Sequence, residues 1–406
     1  MTTPLSVACV HVSSALGGSE RVLLDFAARA ERHGIAAHVI LPKDGPLVEA
    51  LRQAGASVSI APAPETFLAV SQRAGLGAAA LAAFATGLWR WSSAIRGELA
   101  ALERRQGDRT AVLYSNGFKA HLACALVPGC TRVWHLHEFP PVLFGPLWRA
   151  AAFAFPNAVV ANSEPVAEAW RGLLGPKPTV VANGVDLERF TPTPKRFWVH
   201  DQLGLPRDAR LIGMPAVFAR WKGHLLVVEA FERAAARLEN VHLVLVGAPI
   251  YDTVAERGYA QELVQRVRRS SVAGDRGTLP LTNRIHFVKF QRDPWRLYPE
   301  FDVVVHFSTR PEPFGRVVVE AMACGTPVIA AREGGPATIL EDGISGWLTT
   351  PGDTTQLADA MFRAIQTDTA PMRTAARRRA EALFSADRFA GELAEALRRA
   401  AAGAGG

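Results

Sequence analysis

The chain is 406 residues long and 49% hydrophobic, with 34 glycines and 27 prolines, which excludes a disordered or low-complexity protein and fits two or three globular domains. Its net charge of +7 is uneven: positions 1–196 hold 19 basic and 14 acidic residues, and the remainder 26 and 24. No aromatic-interleaved basic stripe accompanies the excess, so no nucleic-acid partner is expected, while an anionic lipid surface, an anionic substrate or a merely solubilising basic face all fit. Cys9, Cys124, Cys130 and Cys324 lack paired metal-ligand spacing and read as thiols of a reducing compartment. The first residues, MTTPLSVACVHVSS, have no basic n-region, so no secretory leader and a cytoplasmic location are expected.

In chain order, LSVACVHV reads as a strand and GGSERVLLDFAARAERHG as a helix with a glycine-rich start that closes on Gly34. AAHVILP, ASVSIA, TAVLYSNG, RVWHLHE, NAVVANS and PTVVANG follow as strands ending in loop residues. Before the fourth strand lies AGLGAAALAAFATGLW, positions 74–89, an uncharged run flanked by Arg73 and Arg90. It is slightly short for a membrane span and reads as a helix of a soluble domain, either buried or touching a membrane interface through Leu88, Trp89 and Trp91. The alternation predicts an α/β fold with a doubly wound parallel sheet.

The pattern breaks at PTPKRFWVHDQLGLPR, positions 192–207, and RLIGMPAVF, VHLVLVGA, RIHFVKF, DVVVHFS and TPVIAA begin a second series. Two Rossmann-like domains are therefore predicted, 1–195 and 196–385, with a cleft between the carboxyl ends of both sheets. A final amphipathic helix over 386–402 is able to rejoin the first domain. Gly17 and Gly18 do not complete a G-x-G-x-x-G fingerprint, because they are adjacent and the third glycine is missing. That argues against an NAD-dependent dehydrogenase. At a helix N-terminus the pair still lets backbone approach a ligand, and a simple tight turn explains it equally.

RPEPFGRVVVEAMACGTPVIAAREGG, positions 310–335, carries two acids, Glu312 and Glu320. FDVVVHFS before it reads as a buried strand, RPEPFG as a loop, and RVVVEAMACG as a short buried helix. If the span between the acids were helical, their backbones would stand about 12 Å apart at ~1.5 Å per residue. One acid sits at a helix mouth and the other two turns inside. That suits the two ends of an elongated ligand better than a glycosidase pair flanking one bond. The mouth itself, Gly315 to Val317, offers amides and a positive dipole end for a phosphate. The plainer reading makes Glu320 part of a core network and Glu312 a solvated loop acid.

EPFGRVVVEAMACGTPVIAAREGGPATILEDGISGWLTTPGD resembles the signature of the retaining glycosyltransferases of family 4, which have the GT-B fold. GGSERVLLDFA, VWHLHE, VANGVDLERF, WKGHLLVVEAF and RIHFVKFQRDPWRLYPEFDVVVHFS resemble further segments of that family, in order along nearly the whole chain. The resemblance implies that Glu312 holds donor-sugar hydroxyls and Glu320 the ribose. It implies that the amides of Phe314, Gly315, Arg316 and Val317 bind sugar and distal phosphate. Lys222 would neutralise the leaving diphosphate, and Phe287, Val288 and Lys289 would flank the base. His137 would lie under the reacting sugar, with Gly17 and Gly18 near the phosphates and acceptor.

Breaking a glycosyl–phosphate bond builds charge that fixed cations and N–H dipoles stabilise. No cofactor or metal is expected, since no Asp-x-Asp pair is present and the nucleotide diphosphate sugar is a co-substrate. The family is thought to react on the front face without an agreed protein nucleophile, and none is assigned. Two departures stand out. The family's usual arginine, five residues before the lysine of its KG pair, is Val217 here, leaving Arg220 as either a replacement cation or a surface residue. Arg316 stands where leucine or isoleucine is common, and either meets the phosphate or points to solvent. His135 and His137 share one face of their strand, and the strand's end favours His137 as the functional one.

The expected activity is therefore sugar transfer from a nucleotide diphosphate sugar, carrying UDP, GDP or ADP, to a hydroxyl acceptor with retention. The acceptor is a glycan, a lipid-linked sugar met at an anionic inner membrane face, or a soluble small molecule. A nucleotide-sugar epimerase and a non-catalytic sugar-nucleotide binding module are the alternatives on the same fold.

Overall fold

The computed structural model describes residues 3–69, 78–107, 110–140, 156–174, 178–249, 256–274, 277–291 and 293–403. The chain forms two compact units, 1–184 with 386–406, and 185–385.

The first unit is built on seven parallel strands: β1 (Leu5–His11), β2 (Ile35–Leu41), β3 (Ser57–Ile60), β4 (Val112–Asn116), β5 (Thr131–Leu136), β6 (Ala158–Ala161) and β7 (Thr179–Val180), in the order β3-β2-β1-β4-β5-β6-β7. Alternate side chains of each strand feed opposite faces. Val7, Cys9, Val39, Leu41, Val112 and Tyr114 join one core with Phe26, Phe389, Leu393 and Leu397. Ala8, Val10, Ile40 and Leu113 join the other with Phe67, Trp91, Ile95 and Leu99. Both faces being covered explains why these strands read as continuous apolar runs. Phe389, Leu393 and Leu397 lie on one side of the last helix, Ala386–Gly403, which returns to this sheet after the second unit.

The uncharged run belongs to a long helix, Ala78–Gln106, and its positions 74–77 lie outside the described residues. Trp91 is not an interfacial residue: it is fully buried against Phe67, and its indole N–H donates to the Ala61 carbonyl at 3.1 Å. An indole held this way satisfies its one donor in the core. Leu81 and Trp89, by contrast, are 55% and 62% exposed. Among the described residues no helix is long and apolar enough to cross a membrane.

The second unit holds six parallel strands: β8 (Arg210–Pro215), β9 (Val241–Gly247), β12 (Ile285–Lys289), β13 (Val303–His306), β14 (Val328–Ala331) and β15 (Trp347–Thr349), ordered β12-β9-β8-β13-β14-β15. A separate antiparallel hairpin, β10 (Ser271–Gly274) with β11 (Gly277–Pro280), stands apart from the sheet. Ile212, Met214, Leu243, Leu245, Val303 and Val305 pack one face against the helices His224–Ala235 and Thr354–Gln366. In both sheets the first strand of the unit lies between strands that leave in opposite directions. This reversal, at β1/β4 and at β8/β13, opens the crevice at the carboxyl ends where ligands bind in doubly wound folds.

Candidate active site

Three loops meet at the carboxyl ends of β8, β13 and β14, and glycines let them touch. Gly223 has φ 76°, and a Cβ there would lie 2.0 Å from the Phe307 carbonyl oxygen. Behind it, the Thr309 amide donates to the Trp221 carbonyl at 2.7 Å. Gly334 has φ 62°, and a Cβ there would come within 2.3 Å of the Glu312 carbonyl oxygen, to which the Gly335 amide donates at 2.8 Å. Backbone cannot yield as a flexible side chain does, so only glycine fits these two positions. The segment Arg310–Gly315 is thereby clamped from both sides, and the helix Arg316–Ala323 starts from it. Gly315, Arg316 and Val317 supply the N-terminal amides, the positive end of that helix. Phe314 is buried and stacks edge-on against Phe384.

Glu312 is not a solvated loop acid. Its Oε2 accepts from Lys222 Nζ at 2.7 Å and from Ser308 Oγ at 3.0 Å, and His306 Nε2 lies 3.5 Å from the same oxygen. Burial pushes this carboxyl up, but Lys222 and His306 outweigh it and hold the group well below the usual glutamate range. Among the described residues all three contacts fall on Oε2, and Oε1 keeps its capacity to accept. The ammonium of Lys222 also lies 3.8 Å from the Trp221 ring centroid, which fixes its stem.

Glu320 is buried inside the same helix, where its Oε2 accepts from the Tyr298 hydroxyl at 2.6 Å and its Oε1 from Arg316 Nε at 2.9 Å. Burial and the neighbouring Glu320 carboxylate push the Tyr298 hydroxyl well up, which keeps it a donor. Arg316 does not point to solvent. It folds one turn along the helix onto Glu320 with its side chain 13% exposed. Arg220 turns elsewhere: its guanidinium pairs with Glu262 at 2.6 Å and lies 5.1 Å from the Tyr259 ring. Val217, half-buried between β8 and the Arg220–Lys222 turn, brings no charge to the site.

Phe287, Val288 and Lys289 lie on β12, the edge strand, with β9 and β8 between it and β13. Three strand spacings of ~4.8 Å put β12 about 14 Å from β13.

In the first unit, His135 and His137 separate as their positions on β5 suggest. His135 is fully buried and bonded through Nδ1 to the Tyr114 hydroxyl. His137 lies just beyond the strand, half-buried, with Nε2 2.5 Å from Asn116 Oδ1. Asn116 in turn donates to Tyr114 at 3.4 Å, and the two imidazoles sit 4.0 Å apart. Burial, then the neighbouring His135, lowers His137 well below the usual imidazole range, and burial lowers His135 to about 3, so both are neutral at pH 7. Gly17 caps the helix Gly18–Ala27, and a Cβ on it would meet Glu20 Oε2 at 2.7 Å, whereas one on Gly18 would meet nothing within 4 Å. Gly18 thus answers to no crowding among the described residues.

His306, Ser308 and Tyr298 in the second unit, and Asn116 in the first, are contact residues that motif reading passes over. The signal for three of them is a polar side chain closing an apolar strand at its carboxyl end, in VVVHFS and VLYSN; Tyr298, in a turn, leaves none. Among the described residues, no group of three His, Cys, Asp or Glu is placed to hold a metal ion.

These features define a class: an α/β protein of two Rossmann-like units, the second carrying a glycine-clamped helix N-terminus with a lysine-paired glutamate before it and a buried glutamate within it. Residues 16–189 match the family model described as Glycosyltransferase Family 4, and 199–382 match Glycosyl transferases group 1. A D-inositol 3-phosphate glycosyltransferase of Mycobacterium bovis is 32% identical over 253 residues, 60% of this chain and 49% of that protein. D-inositol 3-phosphate glycosyltransferase 2 of Catenulispora acidiphila is 33% identical over 215 residues, 48% of this chain and 46% of that one. The chain spans about half the length of the curated relatives it matches. The crystal structure of Anabaena Alr3699/HepE in complex with UDP-glucose superposes with a TM-score of 0.78 at 28% identity, covering 97% of this chain and 100% of that one. A glycosyltransferase from Rickettsia africae shares the fold, with a TM-score of 0.76 at 20% identity over 98% of this chain and 99% of that one. The chain belongs to glycosyltransferase family 4 and has the GT-B fold.

Proposed function

We infer that this protein moves a sugar from a nucleotide diphosphate sugar to a hydroxyl acceptor, with retention at the anomeric carbon and without a metal or other cofactor. One observation carries the reading: Glu312 takes Lys222, Ser308 and His306 all on one oxygen, Oε2. A carboxylate so saturated on one side is a preorganised acceptor for a sugar hydroxyl, set beside the amides of Gly315 to Val317. Those amides and Lys222 stabilise charge growing on the leaving diphosphate as the glycosyl–phosphate bond breaks. Glu320, with Tyr298 and Arg316 holding its oxygens, receives the ribose, and Phe287 to Lys289 flank the base. His137, neutral and oriented by Asn116, lies under the reacting sugar, with Gly17 and Gly18 near phosphate and acceptor. UDP is the first nucleotide to try, because the Anabaena neighbour was crystallised with UDP-glucose.

For the acceptor, the names of the Mycobacterium and Catenulispora relatives favour a soluble polyol phosphate. The exposed Leu81 and Trp89 and the basic excess of the first half favour an acceptor at an anionic inner membrane surface instead. The enzyme would then be cytoplasmic and peripheral.

The decisive experiment incubates the protein with UDP-, GDP- and ADP-sugars and a panel of acceptors, and reads the anomeric configuration of the product by NMR. Retained configuration without added metal is expected. An isomerised donor without acceptor would identify an epimerase. Binding without turnover for every acceptor would leave a binding module, and an inverted product would overturn the retaining mechanism.

A further inference from the structure

His306 ends β13 with its ring 6% exposed, a polar side chain in a strand whose other residues are valines. Its Nδ1 is buried without a hydrogen-bond partner, and its Nε2 lies 3.5 Å from Glu312 Oε2. An apolar side chain of similar volume would avoid the orphaned ring nitrogen, so stability alone does not account for the imidazole. Among the described residues the carboxylate is the acceptor that faces the ring, which assigns the ring proton to Nε2. At 3.5 Å this contact is long for a hydrogen bond, as contacts in ligand-free sites often are before substrate tightens them.

We propose that His306 is a positioning residue for the donor sugar, acting through Glu312. With Lys222 and Ser308 it gathers the donors of the pocket onto Oε2, fixing the carboxylate rotamer so that Oε1 meets a sugar hydroxyl. Lys222 supplies charge from one side, and Ser308 and His306 supply direction from the strand end, so the carboxylate cannot rotate to share its lysine between both oxygens. This rests on the reading of Glu312 as the sugar-binding acid, and its consequence is specific. His306 should influence how much the sugar adds to nucleotide binding, and should leave the nucleotide's own binding alone.

The test compares wild type, His306→Leu, His306→Gln and Glu312→Ala, with UDP and UDP-glucose as probes in calorimetry and UDP-glucose turnover as the second readout. His306→Leu should cut the ratio of UDP-glucose to UDP affinity, and kcat/KM, by about tenfold, equivalent to 1.4 kcal/mol. UDP affinity and melting temperature should stay near wild type. His306→Gln, whose amide N–H reaches the place of Nε2, should restore most of the ratio. In a Glu312→Ala background His306→Leu should have no further effect.

Wild-type behaviour of His306→Leu while Glu312→Ala loses the sugar's contribution would overturn this inference and leave the transferase reading standing. Equal loss of UDP affinity in both His306 variants would make the residue merely structural, which also overturns it. If Glu312→Ala itself leaves the ratio untouched, the reading of Glu312 as the sugar-binding acid fails and takes this one with it.

Discussion

Lys222→Met keeps the aliphatic stem over Trp221 and removes the ammonium from Glu312. The two side chains are 14% and 15% exposed and meet at 2.7 Å. At an effective dielectric near 20 their attraction is about 6 kcal/mol before desolvation. Removing one partner of a buried pair costs about 3–5 kcal/mol, because the other charge stays buried without compensation. Partial exposure favours the lower end, about 3 kcal/mol, and for a unit of about 200 residues that is a melting shift of roughly 6–12 °C.

The same pair makes a pH prediction. Glu312 is held below the ordinary value of 4.5, so between that value and its folded value the unfolded chain binds more protons. The pair's contribution is full above pH 4.5 and is lost as pH falls below it. In Lys222→Met the melting temperature should therefore fall less steeply with acid than in wild type. Adding Glu312→Gln should recover much of the stability, since no buried charge remains. Turnover should drop about 100-fold in the single variant, the scale of one electrostatic contributor, and should not return in the double. Calorimetric melting from pH 7 to 3.5 and steady-state kinetics together check this. A single variant that melts within a degree of wild type would refute the buried-pair reasoning. Turnover recovered along with stability would refute the role at the diphosphate.

Glu320→Ala should weaken UDP and UDP-glucose binding alike, while Glu312→Ala should weaken UDP-glucose and leave UDP nearly unchanged; equal loss of UDP in both, measured by calorimetry, would undo the division of labour. Arg220→Ala should keep turnover within about twofold, because its guanidinium is engaged by Glu262 and half-exposed, where ion pairs contribute ~0–1 kcal/mol; a loss of tenfold or more would mean that the side chain swings to the diphosphate. Trp89→Ser should lower co-sedimentation with anionic vesicles at low salt, and a wild-type protein that stays in the supernatant under those conditions would favour the soluble acceptor.

Much of this protein is legible along the chain. Apolar β-branched runs such as VHLVLVG are buried on both faces, and their alternation with helices specifies a doubly wound sheet by local pattern alone. The motif PEPFGRVVVE likewise states a loop, a helix mouth and two acids, because proline, glycine and helix periodicity act over a few residues. The burial of Trp91 was not legible: the indole's partner is a carbonyl thirty residues earlier, and composition places the same tryptophan equally at a membrane. Nor was the destination of Arg316 and Arg220, since a long cation goes to whichever carboxylate the fold brings near, Glu320 on its own helix for one and Glu262 for the other. The state of Glu312 was hidden for the same reason. Its lysine lies ninety residues earlier, on a turn that reaches it because Gly223 and Gly334 let backbones pack where any side chain would collide. Local sequence decides which groups are available; which oxygen of a buried carboxylate is satisfied, and which is left for a ligand, depends on strand order and loop contact that only the folded chain establishes.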